Sequence, residues 1–165
     1  MWPRTCLVGG RDGSGGYLAL VVGTKVLEVS QQPSTWLNDI SRPTPSKCIA
    51  VGGTSTSLDT SVVVTIDPSN AAMGDGSFVT GRNLELDTMA CSSVRSCVAA
   101  GHVTLASQNE SGAYVSIIKG HQGTLMVENG VTDINGAGCT VTSKCFLGGV
   151  SSRGNIGAGF EVTLP

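Results

Sequence analysis

The sequence predicts an all-β fold, a partial β-propeller made of four-stranded antiparallel blades, and three observations carry that prediction. No segment keeps a 3.6-residue apolar period for more than two turns, and Gly, Ser, Thr and Val, all poor helix formers, are abundant. Short runs of β-branched and apolar residues alternate instead with Gly/Ser/Asn/Asp clusters, the pattern of many short strands joined by turns. Finally, a cysteine-centred string recurs four times, as Thr5-Cys6-Leu7-Val8-Gly9-Gly10, Lys47-Cys48-Ile49-Ala50-Val51-Gly52-Gly53, Ser96-Cys97-Val98-Ala99-Ala100-Gly101-His102 and Lys144-Cys145-Phe146-Leu147-Gly148-Gly149. Its cysteines are spaced by 42, 49 and 48 residues, a period in the range of propeller blades.

The other elements keep step with this string. After each one, and after a Gly/Ser-rich loop, an apolar strand begins near Tyr17, Val62, Tyr114 and Phe160. A third strand follows in the first three units, at Lys25–Val29, Ser77–Thr80 and Thr124–Val127. A fourth, at Trp36–Ile40, Leu84–Met89 and Val131–Ile134, precedes the next cysteine string. One sheet of four such strands cannot bury both of its faces, whereas sheets stacked face to face around an axis can. Gly9 to Gly16 reads as a flexible hairpin loop. It is not a phosphate cradle, because no Lys-Ser/Thr follows and a strand comes next.

The strands number fourteen, or three and a half blades, against about 4–8 in natural propellers. The expectation is one repeat domain over residues 1–165, incomplete at both ends, whose ring is completed by self-association or by a longer parent chain. Met1 to Cys6 carries no charged and apolar leader of secretory type.

Composition narrows the partners. Of 165 residues 23 are glycine, and only 13% are charged, about half the usual share. A net charge of −2 offers no electrostatic footprint for nucleic acid or for an anionic membrane, and no apolar run approaches the length of a membrane-spanning helix. Neither is an expected partner.

Two repeats hold a second cysteine, in Cys91-x5-Cys97 and Cys139-x5-Cys145. A hairpin from the fourth strand into the cysteine strand sets these thiols across a short turn, within reach of a disulfide. In the second repeat the matching place is Arg42, and for Cys6 it falls before Met1, so Cys6 and Cys48 are expected to be unpaired or buried. Free thiols are the competing reading. Zinc fits poorly, because the spacing is not C-x2-C and the histidines, His102 and His121, stand in different loops. If bridged, the chain belongs to an oxidising compartment, extracellular or periplasmic.

The pattern apolar-x-Asp-apolar, then Cys-x5-Cys-Val-Ala-Ala/Val-Gly, then an apolar strand and a glycine turn, resembles the repeats of secreted bacterial β-propeller proteins of the BNR and photosystem-assembly-factor type. The likeness is best over Asp87 to His102 and Asn38 to Gly53. It implies a propeller fold but no particular activity, since the Ser-x-Asp-x-Gly-x-x-Trp box of sialidases is absent.

Asp39, Asp87 and Asp133 recur near the start of the strand before each cysteine string. Repetition favours a structural task, accepting backbone N–H groups; a ring of carboxylates along a central channel, able to hold a cation, is the sharper alternative. Together with His102 these are the candidate channel or ligand contacts. No nucleophile–base relay can be picked out, so no catalytic residue, metal ligand or cofactor is assigned. The expected role is a non-catalytic binding or scaffold module that recognises a protein or glycan through its loops. The alternative is a channel-sited glycosidase- or lyase-like enzyme that uses the repeated aspartates as acid and base.

Overall fold

A computed structural model describes residues 5–164 apart from 13–14, 33–34, 55–56, 75–76, 81–82, 94, 105–109, 119–120 and 154–155. The described residues form fifteen strands in four antiparallel sheets. Sheet I is β1 (Thr5–Asp12), β2 (Gly15–Val22) and β3 (Lys25–Gln32). Sheet II runs β4 (Thr35–Thr44), β5 (Lys47–Thr54), β6 (Ser57–Asp67), with β7 (Ala72–Met73) and β8 (Ser77–Thr80) both on the outer edge of β6. Sheet III is β9 (Leu84–Ser93), β10 (Ser96–Thr104), β11 (Glu110–Ile118) and β12 (His121–Glu128); sheet IV is β13 (Val131–Cys139), β14 (Lys144–Ser151) and β15 (Gly157–Thr163). The arrangement is a partial propeller with no closed barrel. Among the described residues no helix is long and apolar enough to cross a membrane.

Sequence unit and sheet are out of phase by one strand. The strand before each cysteine string pairs with that string, so it becomes the first strand of the next sheet. The strand absent from the sequence reading is β7. It pairs with Ile66 and Asp67, while β8 pairs with Thr60 to Val63, so two short pieces share one outer edge.

Strand alternation builds the core. On β5, Cys48 and Ala50 face sheet I, while Ile49 and Val51 face sheet III. On β10, Cys97 and Ala99 face sheet II, and Val98 and Ala100 face sheet IV. The period of two therefore supplies two apolar faces from one string, and the three core clusters lie between consecutive sheets.

Glycines also make room within each of sheets II to IV, where the first strand runs close to the cysteine strand. A Cβ at Gly52, Gly101 or Gly149 would run into the carbonyl oxygen of Trp36, Glu85 or Asp133 on the neighbouring first strand. Gly9 to Gly16, expected as a loop, is largely strand for a similar reason. A Cβ at Gly9 would stand 3.0 Å from Ile40 Cδ1, and one at Gly16 would meet the Thr35 carbonyl.

Cys91–Cys97 and Cys139–Cys145 are disulfides, each between directly paired residues with Cα atoms 4.0 Å apart. Bridges closing such short loops contribute on the order of 2–3 kcal/mol each. Cys48 is free and buried, and burial raises its thiol pKa; Cys6 is free and exposed. In sheet II, Arg42 takes the place of the missing cysteine, and its Nη2 donates to the Pro45 carbonyl at 2.7 Å across the turn.

Replacing Gly52 with alanine should destabilise the protein by about 2–4 kcal/mol in chemical denaturation. Gly157→Ala, where an added Cβ meets nothing within 4 Å, should change stability by less than about 0.5 kcal/mol.

Candidate functional site

The first strands of sheets II, III and IV share one irregularity, and it positions the site. Pairing with the cysteine strand skips a residue at Asn38 in β4, Asp87 in β9 and Asn135 in β13. A bulge of this kind swings a side chain out of the regular alternation. The residues two places earlier stay paired: Trp36 opposite Gly53, Glu85 opposite His102, Asp133 opposite Val150.

Asp39, Asp87 and Asp133 therefore do not occupy one repeated position. Relative to this shared bulge, Asp87 is the bulge residue, Asp39 lies just after it, and Asp133 lies two places before it, next to a further skip at Thr132. Asp39 does structural work. Its Oδ1 accepts the Ile40 N–H at 2.8 Å, and its Oδ2 accepts the Met89 N–H at 2.7 Å and the Thr88 hydroxyl at 3.1 Å, tying sheet II to sheet III. Two further links cross the same junction. Asn38 Nδ2 donates to the Leu86 carbonyl at 2.9 Å, and Ser61 Oγ donates to the Leu84 carbonyl at 2.7 Å while accepting the Leu86 N–H.

Asp87 and Asp133 converge instead on His102. Nδ1 of His102 lies 3.3 Å from Asp87 Oδ2 and 3.8 Å from Asp133 Oδ1, and Nε2 lies 4.0 Å from Glu85 Oε2. The imidazole is half-buried, its side chain 22% exposed. The Asp87 hydrogen bond, reinforced by the charges of Asp87, Asp133 and Glu85 and opposed by burial, raises the His102 pKa above its ordinary 6.5. Three carboxylates around one imidazolium leave a net negative site even when the histidine is charged.

One donor atom each from Asp87, His102 and Asp133 lies within 4.8 Å of the others, a set able to hold a metal ion. Imidazole with two carboxylates suits a divalent cation of intermediate hardness. Beside the group, Glu85 also lines a cavity of about 40 Å³ with Trp36, Gly53, Thr54, Thr60, Ser61 and Leu84. The indole Nε1 of Trp36 is buried and makes no hydrogen bond among the described residues, and Arg11 stands 5.7 Å over its ring.

These contacts correct the expectation of a non-catalytic binding or scaffold module and of a chain without enzymatic chemistry. A half-buried imidazole with a raised pKa, held by carboxylates from two sheets, is the grouping expected of a catalytic or metal-binding site. Sequence reasoning named Asp87, Asp133 and His102, together with Asp39, as candidate channel or ligand contacts and missed Glu85. The signal for Glu85 was its place opposite His102, which needs the strand pairing and not the spacing of like residues. No protein-family model matches the chain, and no curated protein matches it. What the fold supports is the propeller-like arrangement, not kinship with a particular repeat family.

Two outcomes are expected. Asp39→Ala should lower stability by about 1–3 kcal/mol, because a buried N–H at the sheet II–III junction loses its acceptor. His102 contributes stability that is fully present below pH 6.5 and fades as pH rises through its raised folded-state pKa. In Asp87→Asn, an NMR titration of the His102 ring should report a pKa shifted back down.

Proposed function

We propose that this protein is an enzyme acting on glycans, glycosidase- or lyase-like, with its acid–base centre at Asp87, His102, Asp133 and Glu85. The observation that carries the reading is the 3.3 Å contact between His102 Nδ1 and Asp87 Oδ2 within a ring of carboxylates. Asp87 accepts the Nδ1–H and so orients the imidazole, which in its imidazolium form presents a transferable Nε2–H on the Glu85 side. In hydrolysis, His102 Nε2–H protonates the glycosidic oxygen as its bond to the anomeric carbon breaks. Glu85 takes a proton from the water whose oxygen forms the new bond. In elimination, the neutral imidazole would instead remove the proton next to a uronate carboxyl group, while the C–O bond to the neighbouring sugar breaks, a C=C bond forms and the departing oxygen takes a proton from solvent.

A second reading rests on the same donor set: a divalent cation held by Asp87, His102 and Asp133. His102 must lose its proton to ligate, so cation affinity should rise with pH through its raised pKa. Calorimetry with manganese, zinc and calcium at two pH values tests this reading, and Asp133→Asn should abolish any heat that saturates.

Two disulfides imply an oxidising environment. An extracellular or periplasmic parent protein, where polymeric glycans are met, fits that environment.

The activity test is a panel of neutral and uronate-containing glycans, read by new reducing ends and by unsaturated products. Asp87→Asn and Glu85→Gln should each cut turnover by about 10²-fold or more with the circular dichroism spectrum unchanged. The rate should fall as pH rises through the raised His102 pKa if His102 acts as the acid. Full turnover by folded Asp87→Asn would end the proposal.

A further inference from the structure

The junction between sheets II and III holds a hollow beside the acid–base centre, and the repeat explains why it is there. Gly53, His102 and Val150 each stand five residues after a repeat cysteine. Each pairs with the residue two places before the first-strand bulge: Trp36, Glu85 and Asp133 in turn. Sheet III fills this position with an imidazole, whereas sheet II has no side chain there. The Trp36 ring lies against Gly53 instead, since a Cβ on Gly53 would stand 2.5 Å from Cζ2 and 3.0 Å from Nε1. The hollow is the cavity of about 40 Å³ lined from sheet II by Trp36, Gly53, Thr60 and Ser61 and from sheet III by Leu84 and Glu85.

Its walls are fixed. Buried Ser61 donates through Oγ to the Leu84 carbonyl at 2.7 Å and accepts the Leu86 N–H at 3.1 Å, so the two sheets cannot part here without breaking both bonds. Two polar groups are left to meet a ligand. The Thr60 hydroxyl makes no hydrogen bond among the described residues. The Glu85 carboxylate is 45% exposed and has one oxygen 4.0 Å from His102 Nε2. Among the described residues no cationic side chain lines the hollow; Arg11, 5.7 Å from the centroid of the Trp36 ring, is outside it.

We propose that this hollow is the subsite for the hydroxymethyl group of a neutral hexose, so that the substrate is a neutral glycan and its cleavage a hydrolysis. The inference rests on the glycan-cleaving reading of the neighbouring centre. One water needs about 10–15 Å³ of such space, so the hollow takes a group of two or three heavy atoms and not a whole sugar ring. The methylene packs on Trp36 and Leu84, while the hydroxyl donates to Glu85 and accepts from Thr60. One Glu85 oxygen used in this way leaves the other for the attacking water. The hydroxymethyl-bearing carbon and the anomeric carbon flank the same ring oxygen, so a ring seated here presents its anomeric carbon on the Glu85 side. A uronate carries a carboxylate in place of the hydroxymethyl group. That carboxylate has no proton for Glu85 and adds a like charge to a site already net negative. A pentose leaves the hollow unfilled.

The test reads binding, not turnover. The chain has two tryptophans, and Trp36→Phe identifies the Trp36 indole N–H resonance. That resonance is followed by NMR during titration with methyl glycosides of glucose, galactose and mannose, of xylose, and of glucuronate and galacturonate. At least one hexoside should shift it to saturation, with the matching uronate, and xyloside, at least about tenfold weaker. Thr60→Val, which removes the hydroxyl at nearly constant volume, should weaken the hexoside severalfold and leave the xyloside unchanged. Should that variant unfold, the comparison among the three sugar classes on the unmodified chain decides alone. No saturable shift with any hexoside, or a uronate bound as tightly as its hexoside, overturns the proposal. Selective hexoside binding without cleavage of any glycan would end the enzymatic reading and leave the subsite standing. Cleavage of uronate glycans without hexoside binding would do the reverse.

Discussion

Sheets II and III must be apolar on both faces, and the rest of the structure follows from how that is done. A string such as Cys97-Val98-Ala99-Ala100-Gly101 sends alternate side chains to opposite neighbours, and every one of these residues is buried. Side chains this small bring consecutive sheets close together. Within each of sheets II to IV the bulged first strand also runs too close to the cysteine strand for a Cβ, hence Gly52, Gly101 and Gly149. The same crowding explains the low charge content, because in sheets buried on both sides few strand positions can stay solvated.

The polar chemistry collects where this packing is interrupted. At each first-strand bulge one residue escapes the alternation, and the protein uses that escape differently in successive sheets. Asn38 bonds the next sheet, Asp87 turns to His102, and in sheet IV the bulge residue, Asn135, is exposed. One backbone device yields a cross-sheet fastener in one blade and an acid–base pair in the next. Asp133 reaches the same imidazole from sheet IV, so the candidate site straddles a junction and depends on the two sheets keeping their spacing.

This division also marks what could be read from the chain. The cysteine strings, the strand beside each and both disulfide pairs were legible, because they depend on local alternation and short hairpins. The roles of the aspartates were not. Asp39 and Asp87 look alike along the sequence, yet a slip of one residue against the bulge sends one to backbone N–H groups and the other to an imidazole. Glu85 carries no signal of its own and gains meaning only opposite His102. The insertion that supplies β7 is likewise invisible to a repeat search, since a two-residue strand has no period.

Replacement of a disulfide by Arg42 at one hairpin has a mechanical consequence. Sheets III and IV hold the turn between their first two strands with a covalent tie, while sheet II holds the same turn with an arginine–carbonyl hydrogen bond. A thiol reductant acts on the first two and leaves the third as it was. Loosening would start in the hairpins of the two sheets that share His102, while the junction fastened by Asp39, Asn38 and Ser61 stays intact. The arc is thus graded in its sensitivity to redox conditions, with its chemistry placed at the sensitive end.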